Sequence, residues 1–251
     1  MTMDLKDAAC LITGGTKGIG AATAIALAER GANVVITGRH IDDAAKDVVR
    51  QVEALGRKCV ALASDVSVPD EARRGVEETV AKLGSIDVLV HSAGGPANGG
   101  LLAITPEAWH AAFDVHVHPI FHLCRAAMPT MKKKRLGSIV LISSTAGVRG
   151  IRTNVAYQTV KGAIPQLTRA LAFEFADDNI RINCVAPGVI RTDFHAKMTP
   201  ETRKHNLDNR IPLHREGTPQ QVATLIREVA TNDYVTGETF VIDGGLTMRI
   251  A

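Results

Sequence analysis

Tyr157 and Lys161 stand four residues apart, so a helix through them puts both side chains on one face. A phenol is a poor acid or base near neutral pH because its ordinary pKa is about 10. An ammonium one turn away favours the phenolate and brings that value towards the working range. Just upstream, an apolar run ends in Ser143-Ser144. A hydroxyl at Ser144 is placed to hydrogen-bond a substrate oxygen while Tyr157 gives or takes its proton and Lys161 tunes the phenol. Such a set performs proton transfer at an oxygen. Alone, Y-x-x-x-K is a weak signal that a solvated helix-surface pair satisfies equally, so its surroundings decide.

The strongest of those surroundings is Thr13-Gly14-Gly15-Thr16-Lys17-Gly18-Ile19-Gly20, between the apolar run 8–12 and a segment with helical spacing. A buried strand feeding a glycine turn that opens a helix offers unpaired N–H groups and partial positive charge, a seat for a phosphate. Glycine lets the backbone approach a pyrophosphate and take positive φ angles. The spacing is G-x-x-x-G-x-G at Gly14, Gly18 and Gly20, not G-x-G-x-x-G, and an ordinary strand-to-helix turn is the bland alternative. With a dinucleotide there, a nicotinamide exchanges hydride beside Tyr157. The second strand selects among dinucleotides. Where a carboxylate would bind a ribose 2′-hydroxyl, the chain has Gly38-Arg39, with acids only at Asp42 and Asp43. Arg39 suits a 2′-phosphate, with Lys17 a second cation, which predicts NADP(H) over NAD(H); a surface arginine without a role is the alternative. Asp65-Val66 closes the third strand, where an adenine ring would lie, or else Asp65 caps a helix ahead of Pro69.

Positioning these residues takes alternating strands and helices. Apolar runs predict strands over 8–13, 33–37, 58–63, 86–91, 138–143, 181–185 and 239–242, with helices over 18–30, 42–55, 69–83, 106–133, 154–176 and 219–230. Strands apolar on every residue must be covered on both faces, which makes a doubly wound parallel α/β sheet of about seven strands, Rossmann-type. No repeat or linker divides 1–251, so one dinucleotide-binding and catalytic domain is expected. The irregular 188–217 is long enough for a substrate loop. A net charge of +3 is too small to advertise nucleic acid or an anionic membrane. The run Lys132-Lys133-Lys134-Arg135 suits a helix C-terminus. Four dispersed cysteines without a C-x-x-C pair, and no secretory or membrane-length apolar run, read as a soluble cytoplasmic protein with buried thiols.

Together these residues resemble the short-chain dehydrogenase/reductase family over nearly the whole chain. The resemblance rests on Thr13–Gly20, Asp65-Val66, Ser144, Tyr157–Lys161, the N-x-x-x-P-G of Asn183 to Gly188, Thr192 five residues past Pro187, and Thr236-Gly237 with Asp243-Gly244-Gly245. It implies a Rossmann-type sheet, a nicotinamide cofactor, a Ser–Tyr–Lys centre and a homotetramer. By the resemblance Lys161 also holds the nicotinamide ribose, Ile190 and Thr192 match positions that meet the nicotinamide end, and Pro187 and Gly188 bind the cofactor. Two positions depart from the pattern. The family's N-N-A-G is His91-Ser92-Ala93-Gly94, and its further catalytic Asn falls on His116 in Val115-His116-Val117. That Asn helps hold water linking the lysine to solvent; imidazole also accepts and donates but titrates near pH 6.5. His116 is therefore expected at the proton relay, giving activity a pH dependence near its own pKa.

Other features carry less. His118 and His122 form a possible metal pair without a third ligand, so no metal is expected. Trp109 and Phe113, one turn apart, suit packing better than a substrate platform. Pro165 cannot donate to the carbonyl of Lys161, which predicts a loosened helix there and a hydroxyl or water at the freed oxygen. Arg149, Arg152, Arg191, Lys197, Arg203 and Arg210 frame the expected pocket and could attract an anionic group, diluted by Asp193, Glu201 and Asp208. The reading is an NADP(H)-dependent oxidoreductase of carbonyls and secondary alcohols, a ketone reductase or, as one enzyme alternative, a 3-oxoacyl thioester reductase. Its rivals are an NAD-dependent sugar, polyol or hydroxy-acid dehydrogenase and a non-catalytic NADP-binding regulator.

Overall fold

Seven apolar segments become strands: β1 (Ala9–Thr13), β2 (Asn33–Gly38), β3 (Cys59–Ala63), β4 (Val88–His91), β5 (Gly137–Ile142), β6 (Ile180–Pro187) and β7 (Thr239–Ile242). All pair in parallel, in the order β3-β2-β1-β4-β5-β6-β7, in this computed structural model, which describes residues 3–196 and 198–248. Successive strand residues face opposite sides, so each strand feeds two cores. Cys10, Ile12, Val34, Ile36, Val88 and Val90 pack on one face beneath α1 (Gly18–Ala28), α2 (Asp43–Ala54) and α8 (Pro219–Thr231). Leu11, Val35, Leu89, Ile139 and Leu141 pack on the other, beneath α3 (Pro69–Leu83), α5 (His118–Lys134) and α6 (Val155–Glu174). The doubly wound α/β expectation is met, and the chain reverses direction across the sheet between β1 and β4. The crevice belonging to that reversal opens at the carboxyl ends of these strands, where Thr13 and His91 are register partners.

The helix predicted over 106–133 is two helices. α4 (Pro106–His116) and α5 are parted at Val117, whose φ of −112° and ψ of −54° leave the regular helical values. Pro119 causes the break: it has no N–H for the preceding turn and its ring crowds that turn. His116 consequently lies in the last turn of α4. The span 188–217 is not structureless either. It holds a 3-10 turn at Asp193–His195, a short helix α7 (Pro200–His205) capped by Thr199, and a wider turn at Asn206–Arg210. Lys197, one of the cations expected there, lies outside the described residues.

Two buried polar groups brace the far strands. Arg181 donates to Val229 O at 3.0 Å and to Ala230 O, carbonyls at the end of α8 that no turn of helix satisfies. Asn183 bridges to Val235 O at 2.8 Å and accepts from Glu238 N at 3.1 Å, fixing the approach to β7. The basic run is a helix end: Lys132 pairs with Asp178 at 2.9 Å, and Arg135 donates to Asp177 O at 2.7 Å. The four cysteines are free and buried. Among the described residues no helix is long and apolar enough to cross a membrane.

Candidate active site

The glycine turn sits at the carboxyl end of β1. Gly14 and Gly18 take φ of +65° and +57°, values that side chains with a Cβ resist. A Cβ on Gly14 would lie 2.7 Å from the backbone of Ala93, and one on Gly20 would lie 2.2 Å from Gly14 O, so the turn is folded tightly on itself and on the β4 loop. α1 then begins with Lys17 at its N-cap, no side-chain cap and no acid in its first turn. An eleven-residue helix left open and uncharged by its own side chains at this end fits a pyrophosphate. Gly38 ends β2 under Thr16; a Cβ there would meet the Thr16 side chain at 2.7 Å, so the site holds no carboxylate at that point and Arg39 follows, exposed. Asp65 does not cap α3. Its carboxylate accepts from Ser67 N at 3.0 Å and Ser67 Oγ at 2.7 Å, shaping the turn before Val68 and Pro69. Those bonds, with Arg39 and His40 nearby, hold it below the usual carboxylate range. Val66 is buried beside it.

The candidate proton-handling residues converge at the carboxyl end of β5 and the first turns of α6. Ser144 stands at the start of a short 3-10 turn, partly exposed, its hydroxyl accepting from Ala146 N at 3.1 Å and facing the Tyr157 phenol. Burial raises the phenol above its ordinary pKa, and the Ser144 contact works against that rise. Lys161 is buried, its Nζ 5.7 Å from the Tyr157 ring centroid and donating to Ile142 O at 2.8 Å. Burial brings its ammonium down to about 8. The expected acidified phenol is thus not what the chain alone produces: desolvation outweighs the Ser144 contact, and Tyr157 holds its proton.

The freed carbonyl behind Pro165 finds its hydroxyl. Ser143 Oγ donates to Lys161 O at 2.6 Å, buried. Gly147 lies against the same carbonyl, where a Cβ would sit 2.5 Å away. The proline removes one donor, and the serine beside the candidate catalytic serine supplies another, tying β5 to the backbone that carries Lys161. Ser143→Ala leaves that buried oxygen unpaired and is expected to cost about 1–3 kcal/mol of stability, measured by denaturant unfolding. Pro165→Ala restores an N–H and should recover part of the loss in the double variant; independent, additive losses would show that the two groups do not share that oxygen.

Both departures from the family pattern are buried histidines. His91 is hydrogen-bonded through Nδ1 to Thr13 Oγ1 at 2.8 Å, clasping β4 to β1, and Thr13 also accepts from Ala93 N at 3.4 Å. His116 donates from Nε2 to Gly95 O at 2.9 Å and packs so closely on Gly94 that a Cβ there would meet its ring at 2.7 Å. Its ring stands edge-on to Tyr157, centroids 5.7 Å apart. Burial and the neighbouring Lys161 ammonium push both imidazoles down to about 3. His116 therefore lies beside the tyrosine as expected, but as a neutral ring, and the pH dependence near 6.5 anticipated for it is corrected.

The last part of the site follows β6. Pro187 ends the strand, Gly188 N donates to Ile242 O at 2.9 Å, and buried Ile190 pairs with Gly217. Thr192 then faces the glycine turn, its methyl 3.4 Å from where a Gly18 Cβ would sit, and Ile19 lies partly buried below. Phe194, which sequence reasoning passed over, packs its ring 5.9 Å from Tyr157. Glu216, also missed, is buried against Arg191 and Arg203. The expected anion-attracting arginines are largely engaged within the chain: these two by Glu216, Arg210 by Asn206 Oδ1 at 2.8 Å, and Arg149 by Thr247 O at 3.2 Å. Trp109 and Phe113 pack together at 5.3 Å with Ala156 and Val160, as packing residues. His118 binds Asp114 at 2.9 Å, and among the described residues no metal-holding cluster includes it or His122.

This fold and site define a nicotinamide-dinucleotide oxidoreductase, and comparison with known proteins agrees. A family model described as enoyl-(acyl carrier protein) reductase matches residues 14–247. The chain belongs to the short-chain dehydrogenase/reductase family and is an NAD(P)-dependent oxidoreductase acting between carbonyl and CH–OH groups. It is 38% identical to the 3-oxoacyl-[acyl-carrier-protein] reductase FabG of Thermotoga maritima, over 98% of this chain and 100% of that protein. It is 36% identical to versicolorin reductase 1 of Aspergillus parasiticus, over 94% of each chain. A short-chain type dehydrogenase/reductase from Mycobacterium ulcerans superposes with a TM-score of 0.92 at 32% identity, covering 98% of this chain and 92% of that one.

Proposed function

We propose that this protein reduces a ketone with NADPH, with Ser144 orienting the carbonyl, Tyr157 delivering the proton and Lys161 holding charge beneath it. The observation that carries the reading is the convergence of Ser144, Tyr157 and Lys161 at the carboxyl end of β5, beside an uncapped helix start that fits a pyrophosphate. When bound, the dinucleotide supplies the hydride donor or acceptor. Gly14, Thr16, Lys17, Gly18, Ile19 and Gly20 would hold its pyrophosphate, with Asp65, Val66, His91, Ala93 and Gly94 along the adenine and ribose path. Pro187, Gly188, Ile190 and Thr192, with Tyr157 and Lys161, would meet the nicotinamide end. A phenol raised by burial keeps its proton until a substrate oxygen gains negative charge, which suits reduction. Ser144, beside that phenol, shares the same oxygen and fixes its direction. Lys161, largely protonated at neutral pH, favours the phenolate left after transfer. His116 would act as a neutral positioning ring at this centre.

The cofactor is NADP(H) in this reading because Gly38 leaves no carboxylate for a 2′-hydroxyl and Arg39 follows. Arg39→Ala is expected to raise the KM for NADPH by about 10–100-fold and leave that for NADH nearly unchanged, as for loss of one charge-assisted phosphate contact. Equal effects on both cofactors would assign the preference elsewhere. The relatives named for 3-oxoacyl and versicolorin reduction support ketones generally, with 3-oxoacyl thioesters first to be tried. The working form is a cytoplasmic homotetramer by family likeness, which light scattering tests. A screen of carbonyl substrates with both cofactors, using Tyr157→Phe as control, tests the whole assignment. Tight NADP(H) binding without turnover of any carbonyl would instead favour a regulator.

A further inference from the structure

Glu216 has a burial unlike its partners. Its side chain is 3% exposed, whereas Arg191 and Arg203, which reach it at 3.3 and 2.9 Å, are 72% and 48% exposed. A carboxylate out of water needs its counter-charges, and loss of either leaves a costly unpaired group. The carboxylate is also the fixed member of the trio. Next to it, Gly217 N donates to Val189 O at 3.0 Å and Gly217 O accepts from Arg191 N at 2.9 Å, so Glu216 hangs from a backbone bridge. Arg203 lies on α7, and Arg191 directly precedes Thr192. The two arginines therefore flank Phe194, whose ring packs 5.9 Å from Tyr157 at an interplanar angle of 42°.

We propose that Glu216 is a positioning residue for the substrate pocket. By holding Arg191 and Arg203 it fixes both flanks of Phe194 and keeps that ring as the wall beside the Tyr157 hydroxyl. The proposal rests on the reading of Tyr157 as the proton donor to a carbonyl. Phe194 then contacts the groups next to the reacting carbon, and the charges of Arg191 and Arg203 serve the pocket's shape instead of binding an anionic substrate.

The test uses Glu216→Gln, which keeps the shape and removes the charge. At saturating NADPH and with a ketone that the wild type reduces, its substrate KM should rise about tenfold while kcat stays within about threefold. In a Phe194→Ala background the same substitution should add nothing to KM, because the ring it positions is gone. Without any turnover, chymotryptic cleavage after Phe194, followed by mass spectrometry, should run about tenfold faster in the Gln variant as the segment opens more often. Should Glu216→Gln fail to fold, Arg203→Gln, altered at a half-exposed partner, is expected to give the same KM rise and faster cleavage. Wild-type KM and cleavage in the variant that folds, or KM effects of positions 216 and 194 that multiply, would overturn the proposal. Loss of the proton-donor reading is seen separately, as turnover surviving in Tyr157→Phe while the cleavage result still decides whether Glu216 holds the segment.

Discussion

Tyr157→Phe is expected to slow carbonyl reduction by about a thousandfold while leaving NADPH affinity within about threefold of wild type. The scale is that of a general acid, about 10²–10⁴ in rate. The substitution removes one oxygen and keeps the ring between His116 and Phe194, at centroid distances of 5.7 and 5.9 Å, so packing is retained and the loss is chemical. No neighbour can take over readily. Ser144 faces the phenol but its hydroxyl is a far weaker acid, and both histidines are held neutral by burial. Single-turnover decay of NADPH absorbance, with a separate binding titration, separates the two effects. A rate within tenfold of wild type would mean that the proton comes from another group.

The second large effect is set by Lys161, whose buried ammonium titrates near 8. Its ordinary value is about 10.4, so the charged form is present below pH 8 and is lost as the pH rises through it. If that charge supports proton transfer from Tyr157, kcat/KM for reduction is flat from pH 6 to about 7.5. It then falls towards tenfold per unit above about pH 8, since kcat/KM reports the free enzyme's groups. Lys161→Ala should lose about a hundredfold or more at pH 7 and show no break near 8. His116→Asn should leave the limb between pH 5 and 8 as in the wild type, because burial and Lys161 have already moved His116 down to about 3. A break near 6.5 that vanishes in His116→Asn would restore the relay role that the family resemblance implied and contradict the neutral ring.

The parts of the site that repeat a local rule were legible in the chain. Gly14, Gly18 and Gly20 are demanded by positive φ or backbone contact within a single turn, and Tyr157 and Lys161 need only a helix to share a face. Pro165 also announced its consequence, since a missing N–H frees one particular oxygen; the sequence could not say that Ser143 would meet it across 18 positions. Pro119 held an equally local signal, the break between α4 and α5, which the apolar pattern on either side masked. Asp65 shows the opposite limit. A carboxylate ahead of a proline suits a helix cap, but Ser67, two residues on, claimed it for a turn. Phe194 and Glu216 gave no signal because their importance lies in what faces them, Tyr157 for one and a pair of arginines for the other.

By itself the sequence determined a parallel α/β sheet, a tight glycine turn at its first strand and a phenol–ammonium pair on the helix after its fifth. Each follows from the spacing of residue types over one turn or one strand, where covalent geometry limits the outcomes. The tertiary structure alone decided the protonation of those groups and the walls around them. Burial, which sums over every element packed nearby, keeps the proton on Tyr157, lowers Lys161 to about 8 and silences His91 and His116. Desolvation is a property of the assembled core, and no short stretch of chain encodes it.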